Sequence, residues 1–266
     1  MQYIANARMY SVAPPAKAAW NELLAWVLQR AGLDWDVIDH AGTLDALWSR
    51  NDLGCVMMCG LPLSMCRPQP RVIAAPIPAP ARFDGRPIYW SDILVRADAQ
   101  YQTLNDTFGG TVGYTVENSQ SGCVGLRQAL HPLRRADAPR LYAKVVGPLG
   151  GGRALVEALA GGAIDVGAVD CYLHEILRLH EPELAAQVRL LTTTERLPIP
   201  PLIAAPEVAD ADVMALRAAF MVVGEVDALA PLRAKLLLRG FAVPDVADYD
   251  VLKVKFPLAA EYAGIW

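Results

Sequence analysis

The segment Asn118-Ser-Gln-Ser-Gly122 follows one apolar run and precedes another. A helix is predicted to begin there. Ser119 and Ser121 supply hydroxyls, and the amides of Ser121, Gly122 and Cys123 fall in the first helical turn, where N–H groups lack partners within the helix. With the positive end of the helix dipole, such amides suit an anion. Either serine would equally serve as a plain N-cap, and both readings stay open. A second loop, Gly147-Pro-Leu-Gly-Gly-Gly-Arg153, also follows a predicted strand. Its glycines let the backbone approach a ligand, but the Gly-Lys-Ser/Thr ending of a nucleotide phosphate loop is absent. In the third loop, Asp170-Cys-Tyr172, Asp170 stands at a predicted strand end. Its carboxylate would hold a hydroxyl or amine of a ligand, or cap the following helix.

Other arrangements carry less chemistry. Cys55, Cys59 and Cys66 lie close together, but not at the two-residue gap typical of zinc sites, and no histidine is near. No metal site is expected, and an odd total of five cysteines argues against a complete disulfide framework. His174-Glu175 and His180 resemble a metalloprotease motif loosely; the histidines stand six positions apart rather than four, so they read as surface helix residues. There is no recognisable Ser-His-Asp order and no Gly-x-Ser-x-Gly. No catalytic residue is named on these grounds.

The elements that would position these loops alternate between strand and helix. Trp20, Leu23, Leu24, Val27 and Leu28 share a face at helical spacing within 15–31, after Pro14 and Pro15. Strands are expected near 2–9, 35–38, 55–58, 111–116, 144–146, 165–169, 188–193 and 202–205, and most clearly over Ile88–Arg96. Pro76, Pro78 and Pro80 mark 72–80 as an edge or crossing strand, because proline donates no ladder hydrogen bond. Helices are expected over 44–50, from the Ser119 region to about 130, from the Gly150-Gly-Gly152 run to about 161, after Asp170, and over 211–226 and 228–239. This alternation implies a largely parallel sheet covered by helices on both faces. Residues from about Ala97 to Arg189 hold their own β-α-β-α-β set between extended segments, which fits a second lobe inserted into a first. Ligands in such sheets sit at the carboxyl ends of strands, here in a cleft between facing lobes.

Composition bounds the possibilities. With 266 residues, 54% of them hydrophobic, the chain is too apolar for disorder and long enough to bury a core without metal or disulfides. A net charge of −4 without runs of like charge excludes a nucleic-acid footprint. No stretch of 18 apolar residues occurs, so no membrane insertion is expected. The first residues lack the basic start and apolar run of a signal peptide. The chain is therefore expected in the cytoplasm, or in the periplasm if a leader has been removed.

The ordered set Gly85–Arg96, Gly113-Tyr-Thr-Val-Glu-Asn-Ser-Gln-Ser-Gly122, Ala160–Asp170 and Thr192–Pro201 resembles the phosphate/phosphonate-type solute-binding proteins of ABC transporters. Asp52–Pro62 and Arg8-Met-Tyr10 add to the likeness, which spans nearly the whole chain. The resemblance implies an α/β, type II periplasmic-binding-protein-like fold: two α/β lobes joined by two crossing strands, with a ligand cleft between them. Residues 1–93 and 196–266 would form lobe 1, and 94–195 the inserted lobe 2. It also implies reversible capture of a small anionic or polar organic ligand, no cofactor, and an ABC permease as partner. By position, Met9, Tyr10, Cys59, Gly60, Tyr89, Ser91, Asn118, Ser119, Ser121, Gly122, Asp170 and Tyr172 would line the site. Aromatic and sulfur side chains at these loops would suit a ligand with an apolar or ring portion, or form lobe core. The chain departs from the family pattern in having Asn118-Ser-Gln-Ser121 rather than a Ser-Thr-Ser helix start, and no histidine in Gly147–Gly152. The alternative is a cytoplasmic enzyme or ligand sensor on the same fold, as in menaquinone- or thiamine-precursor biosynthesis. Cys59 and Cys171 are the only candidate nucleophiles for it.

Overall fold

The computed structural model describes residues 2–134, 140–254, 264 and 266. Its strands are β1 (Ile4–Asn6), β2 (Asp36–Val37), β3 (Leu53–Met57), β4 (Arg71–Pro78), β5 (Ile88–Tyr89), β6 (Ser91–Arg96), β7 (Thr111–Gly113), β8 (Lys144–Val146), β9 (Val166–Asp170), β10 (Val188–Thr193), β11 (Leu197–Pro198), β12 (Leu202–Ala204) and β13 (Leu238–Ala242). Helices are α1 (Pro14–Ala31), α2 (Leu44–Trp48), α3 (Gly60–Met65), α4 (a π-helical opening, Gln120–Val124, continued by Gly125–Leu130), α5 (Gly152–Ala160), α6 (Cys171–His180), α7 (Pro182–Ala185), α8 (Asp210–Met221) and α9 (Ala230–Leu236). The chain divides into two compact units: Met1–Ile88 with Pro198–Asp250, and Tyr89–Leu197 with Val251–Trp266. The sequence instead predicts changes of lobe at 93/94 and 195/196, with residues 196–266 all in the first lobe.

Unit 1 is built on a six-stranded sheet of order β13-β4-β12-β3-β1-β2. Helix α1 starts with two prolines at its first positions and stops at Gly32, whose φ of +72° is the left-handed conformation glycine adopts readily. Its apolar face is buried as the periodicity requires, and it packs on α8 and α9. Trp20 meets Phe241 edge-on at 6.4 Å, and Phe220 sits 4.6 Å from Phe241.

Strand β4 carries its prolines inside the sheet order, yet each of its halves has one neighbour. Arg71–Ala74 pair with β12, and Ala75–Pro78 pair with β13. Pro76 and Pro78 therefore lie where only one side needs a ladder.

Unit 2 is built on a five-stranded sheet of order β10-β6-β9-β7-β8. Ile93, Val95, Val112, Val166 and Ala168 pack on Cys123, Leu126 and Leu130 of α4, joined by Trp266. The sheets are mixed rather than largely parallel. β1 runs parallel to β2 and β3, and β7 runs parallel to β8 and β9. β6 and β12, which each follow a passage of the chain from one unit to the other, run antiparallel to both their neighbours. They arrive without a helical crossover, so nothing forces a parallel direction.

Candidate functional site

In unit 2 the carboxyl ends of β7, β8 and β9 and the amino end of β6 share one edge of the sheet. Ser91 is the register partner of Asp170, and Gly113 is flanked by Val146 and Gly167. That edge gathers the three loops singled out from the sequence. Thr115 N–H donates to Gly122 O (3.1 Å), Leu149 N–H to Tyr114 O (3.1 Å) and Gly150 N–H to Thr115 O (2.9 Å). These bonds tie the helix start to the strand end and to the glycine loop. Gly147 is required there: a methyl group at that position would lie 2.6 Å from the Tyr114 ring.

The helix start differs in detail from expectation. Ser119 Oγ accepts from Gly122 N–H (3.0 Å), so Ser119 is an N-cap. Its carbonyl accepts from the amides of Cys123 (3.1 Å) and Val124 (3.0 Å). The Gly122 and Cys123 amides, expected to be open, are thus closed. The amides without a partner among the described residues are those of Gln120 and Ser121. Ser121 Oγ likewise makes no hydrogen bond among the described residues and is not sealed from solvent. Two amides, one hydroxyl and a helix terminus therefore converge at Gln120–Ser121, an arrangement that accepts an anion. Asn118 flanks it, half-buried.

Ser91 packs beneath this turn. Its amide donates to Thr194 Oγ1 (2.9 Å), and a methyl at Gly125 would come within 2.8 Å of its hydroxyl. Asp170 caps α6, Oδ1 accepting from Tyr172 N–H (2.8 Å) and Leu173 N–H (3.1 Å). Tyr172 and Tyr89 are buried side chains. Burial, with Asp170 nearby, pushes the Tyr172 phenol well above its usual pKa.

In unit 1, Met9 and Tyr10 lie in the short turn after β1, and Cys59 and Gly60 at the start of α3 after β3. Because β1 and β3 are parallel neighbours, these loops too share a carboxyl edge. Tyr10 is fully buried, Cys59 and Gly60 are buried, and Met9 is half-buried.

Several residues escaped sequence reasoning. Gln120 is 1% exposed, and its Oε1 has no partner among the described residues. Thr115 Oγ1 is sealed and equally unpartnered. Arg127, 7% exposed, pairs with Glu117 (2.8 Å) and lies 4.8 Å from the Trp266 ring, which stacks on Tyr114 at 6.2 Å. The only signal of these in the sequence was their closeness to the serine-rich turn. Cys123 packs against the same group, and burial pushes its thiol up to about 12. His174 departs from its expected surface position: it is 5% exposed and bonded to Asp92.

Residues 13–249 match the profile of the family described as "ABC transporter, phosphonate, periplasmic substrate-binding protein". No curated protein matches. Among solved structures, the chain is similar to a binding-protein component of an ABC phosphonate transporter from Pseudomonas aeruginosa, at 18% identity and TM-score 0.78, covering 98% of this chain and 88% of that one. It is similar to PhnD1 from Prochlorococcus marinus in complex with methylphosphonate, at 14% identity and TM-score 0.79, covering 98% of each chain. A Xanthomonas citri protein bound to ATP matches at 14% identity and TM-score 0.68, again over 98% of each. These structural likenesses establish the fold, that of type II periplasmic binding proteins.

Proposed function

Because the chain belongs to the phosphonate-type periplasmic substrate-binding proteins of ABC transporters, we propose that it captures a small phosphonate- or phosphate-like anion at the Gln120–Ser121 helix start of unit 2. The observation that supports this reading is the pair of open amides beside the open Ser121 hydroxyl. Each donor can give a hydrogen bond to an oxyanion, and bonds to a charged partner are the stronger kind. No titratable base or nucleophile is needed, because the task is to bind and release. Ser119 serves the site by holding the turn shut, and Asp170 by starting α6 at the same edge. The working compartment is the periplasm, and the partner is the membrane permease of the transporter. Among the described residues, no helix is long and apolar enough to cross a membrane, so we assign translocation itself to that partner.

The test is a thermal-shift and calorimetric titration with methylphosphonate, inorganic phosphate and methanesulfonate. A ligand at 100 times its Kd should add about 2.7 kcal/mol of stability. Ser121→Ala should leave the unliganded melting temperature unchanged and weaken binding by about 1.5–3 kcal/mol, the range for a hydrogen bond to a charged group. Ser119→Ala should lower the unliganded stability as well. Undiminished binding by Ser121→Ala would overturn the assignment of the site, and conversion of the ligand during the titration would move the reading to an enzyme.

A further inference from the structure

We propose that unit 2 carries a second binding site, for an organic anion, centred on His174 and built from residues other than the helix start. A cavity of about 450 Å³ opens between α6, α7 and β10, lined by His174, Arg178, Ala185, Val188, Arg189 and Leu190. His174 is 95% withdrawn from solvent, with 5% exposure. Its orientation is fixed from behind. Asp92, fully buried, accepts from His174 Nδ1–H through Oδ2 (2.8 Å) and from Trp90 Nε1–H through Oδ1 (3.1 Å). A carboxylate only accepts, so Nδ1 carries the hydrogen and Nε2 is turned away from Asp92. Nε2 has no partner among the described residues, yet it is not sealed from solvent. Nε2 is therefore the one polar atom of a buried ring left to a ligand, on a residue that lines the cavity. A carboxylate that orients a histidine from behind is a usual way of presenting its other nitrogen.

The rest of the lining sets the ligand class. Arg189 is anchored through Nη2, which donates to Ala99 O (2.8 Å) and to Tyr101 O, leaving its other guanidinium donors available. Arg178 is more than half exposed and makes a long ion pair with Glu175 at 3.7 Å. Among the described residues no carboxylate lines the cavity, whereas Ala185, Val188 and Leu190 give it an apolar side, Leu190 being 43% exposed. Two guanidiniums and a histidine nitrogen beside apolar surface fit a carboxylate or phosphate ester with an apolar body. A bare inorganic ion would leave that surface unused.

The test follows the four histidine rings by proton NMR in the full chain, with phenyl phosphate as probe. The His174 signal is the one missing from His174→Asn, a change that keeps a donor for Asp92 and removes Nε2. Phenyl phosphate should move this signal saturably in the parent and equally in Ser121→Ala. Arg178→Ala should weaken the effect about tenfold, as loss of a charge-assisted contact does. Inorganic phosphate should bind more weakly than phenyl phosphate. An unmoved His174 signal, or the same response in Arg178→Ala, overturns the site. Equal affinity for inorganic phosphate overturns the ligand class. Neither result bears on the helix start, which the Ser121→Ala titration with methylphosphonate tests separately.

Discussion

Gly122 shows how a single missing side chain makes the helix start possible. A methyl group there would lie 2.0 Å from Thr115 Oγ1 and 2.7 Å from Thr115 Cγ2, although the two residues must stay close enough for Thr115 N–H to reach Gly122 O. Gly122→Ala should therefore cost about 1–3 kcal/mol, as overpacking does, and should lower ligand affinity with it. Thr115→Ala in the same chain should restore part of both, measured by melting and by titration. Thiol chemistry gives a second check at this scale. Four cysteines are buried and Cys66 is half-buried, with burial raising its pKa. Native protein should react with a thiol reagent slowly at one position, faster as pH rises toward that raised pKa, and at all five only after unfolding. Fast native labelling of several cysteines would contradict the packing. Residue type and spacing single out Ser119, Ser121 and Asp170 as candidates. They were not enough to say which amides stay open, because that depends on the π-helical opening that lets the Ser119 carbonyl take both the Cys123 and Val124 amides. Nor could they show that His174 is turned inward, since its partner Asp92 is 82 positions away.

Elements whose signal is local could be read from the sequence, and those that depend on distant partners could not. The apolar face and the Pro14–Pro15 start of α1 specify that helix by themselves. The prolines of β4 announced a strand with a missing neighbour, yet only the pairing of residues 202–204 and 238–242 with its opposite halves explains how it lies inside the sheet. The mixed direction of both sheets was hidden for the same reason: β6 and β12 each follow a passage between units, and β13 runs antiparallel to β4, a partner far away in the sequence. At this scale α6 offers a clear separation of stability from binding. Asp170→Ala removes the acceptor of the Tyr172 and Leu173 amides, and should cost about 0.5–2 kcal/mol. Asp170→Asn keeps an acceptor oxygen and should retain most of that stability. If the Asn variant melts normally but binds methylphosphonate differently, the charge of Asp170 acts on the ligand, and not only on the helix.

The whole molecule joins residues from far apart in the chain. Trp266 is 7% exposed in the core of unit 2, stacked on Tyr114 and set over Arg127. Trp266→Ala should cost about 3 kcal/mol, the range for emptying an aromatic site, with faster hydrogen exchange in β6–β10 and little change in β1–β4. Uniform acceleration across both units would show instead that they unfold as one. The sheet of unit 1 is also interrupted in the chain. β12 lies between β3 and β4, and β13 completes the far edge, yet both follow the residues of unit 2. On a ribosome, β3 and β4 emerge long before the strand that separates them, whereas all five strands of the other sheet are complete by Thr193. The strands of the inserted sheet can thus pair during synthesis, although their core still lacks Trp266, while β3 and β4 wait with open edges, the surfaces on which nascent chains pair wrongly. That order leaves both units incomplete until the end of the chain is made: one waits for β12 and β13, the other for Trp266.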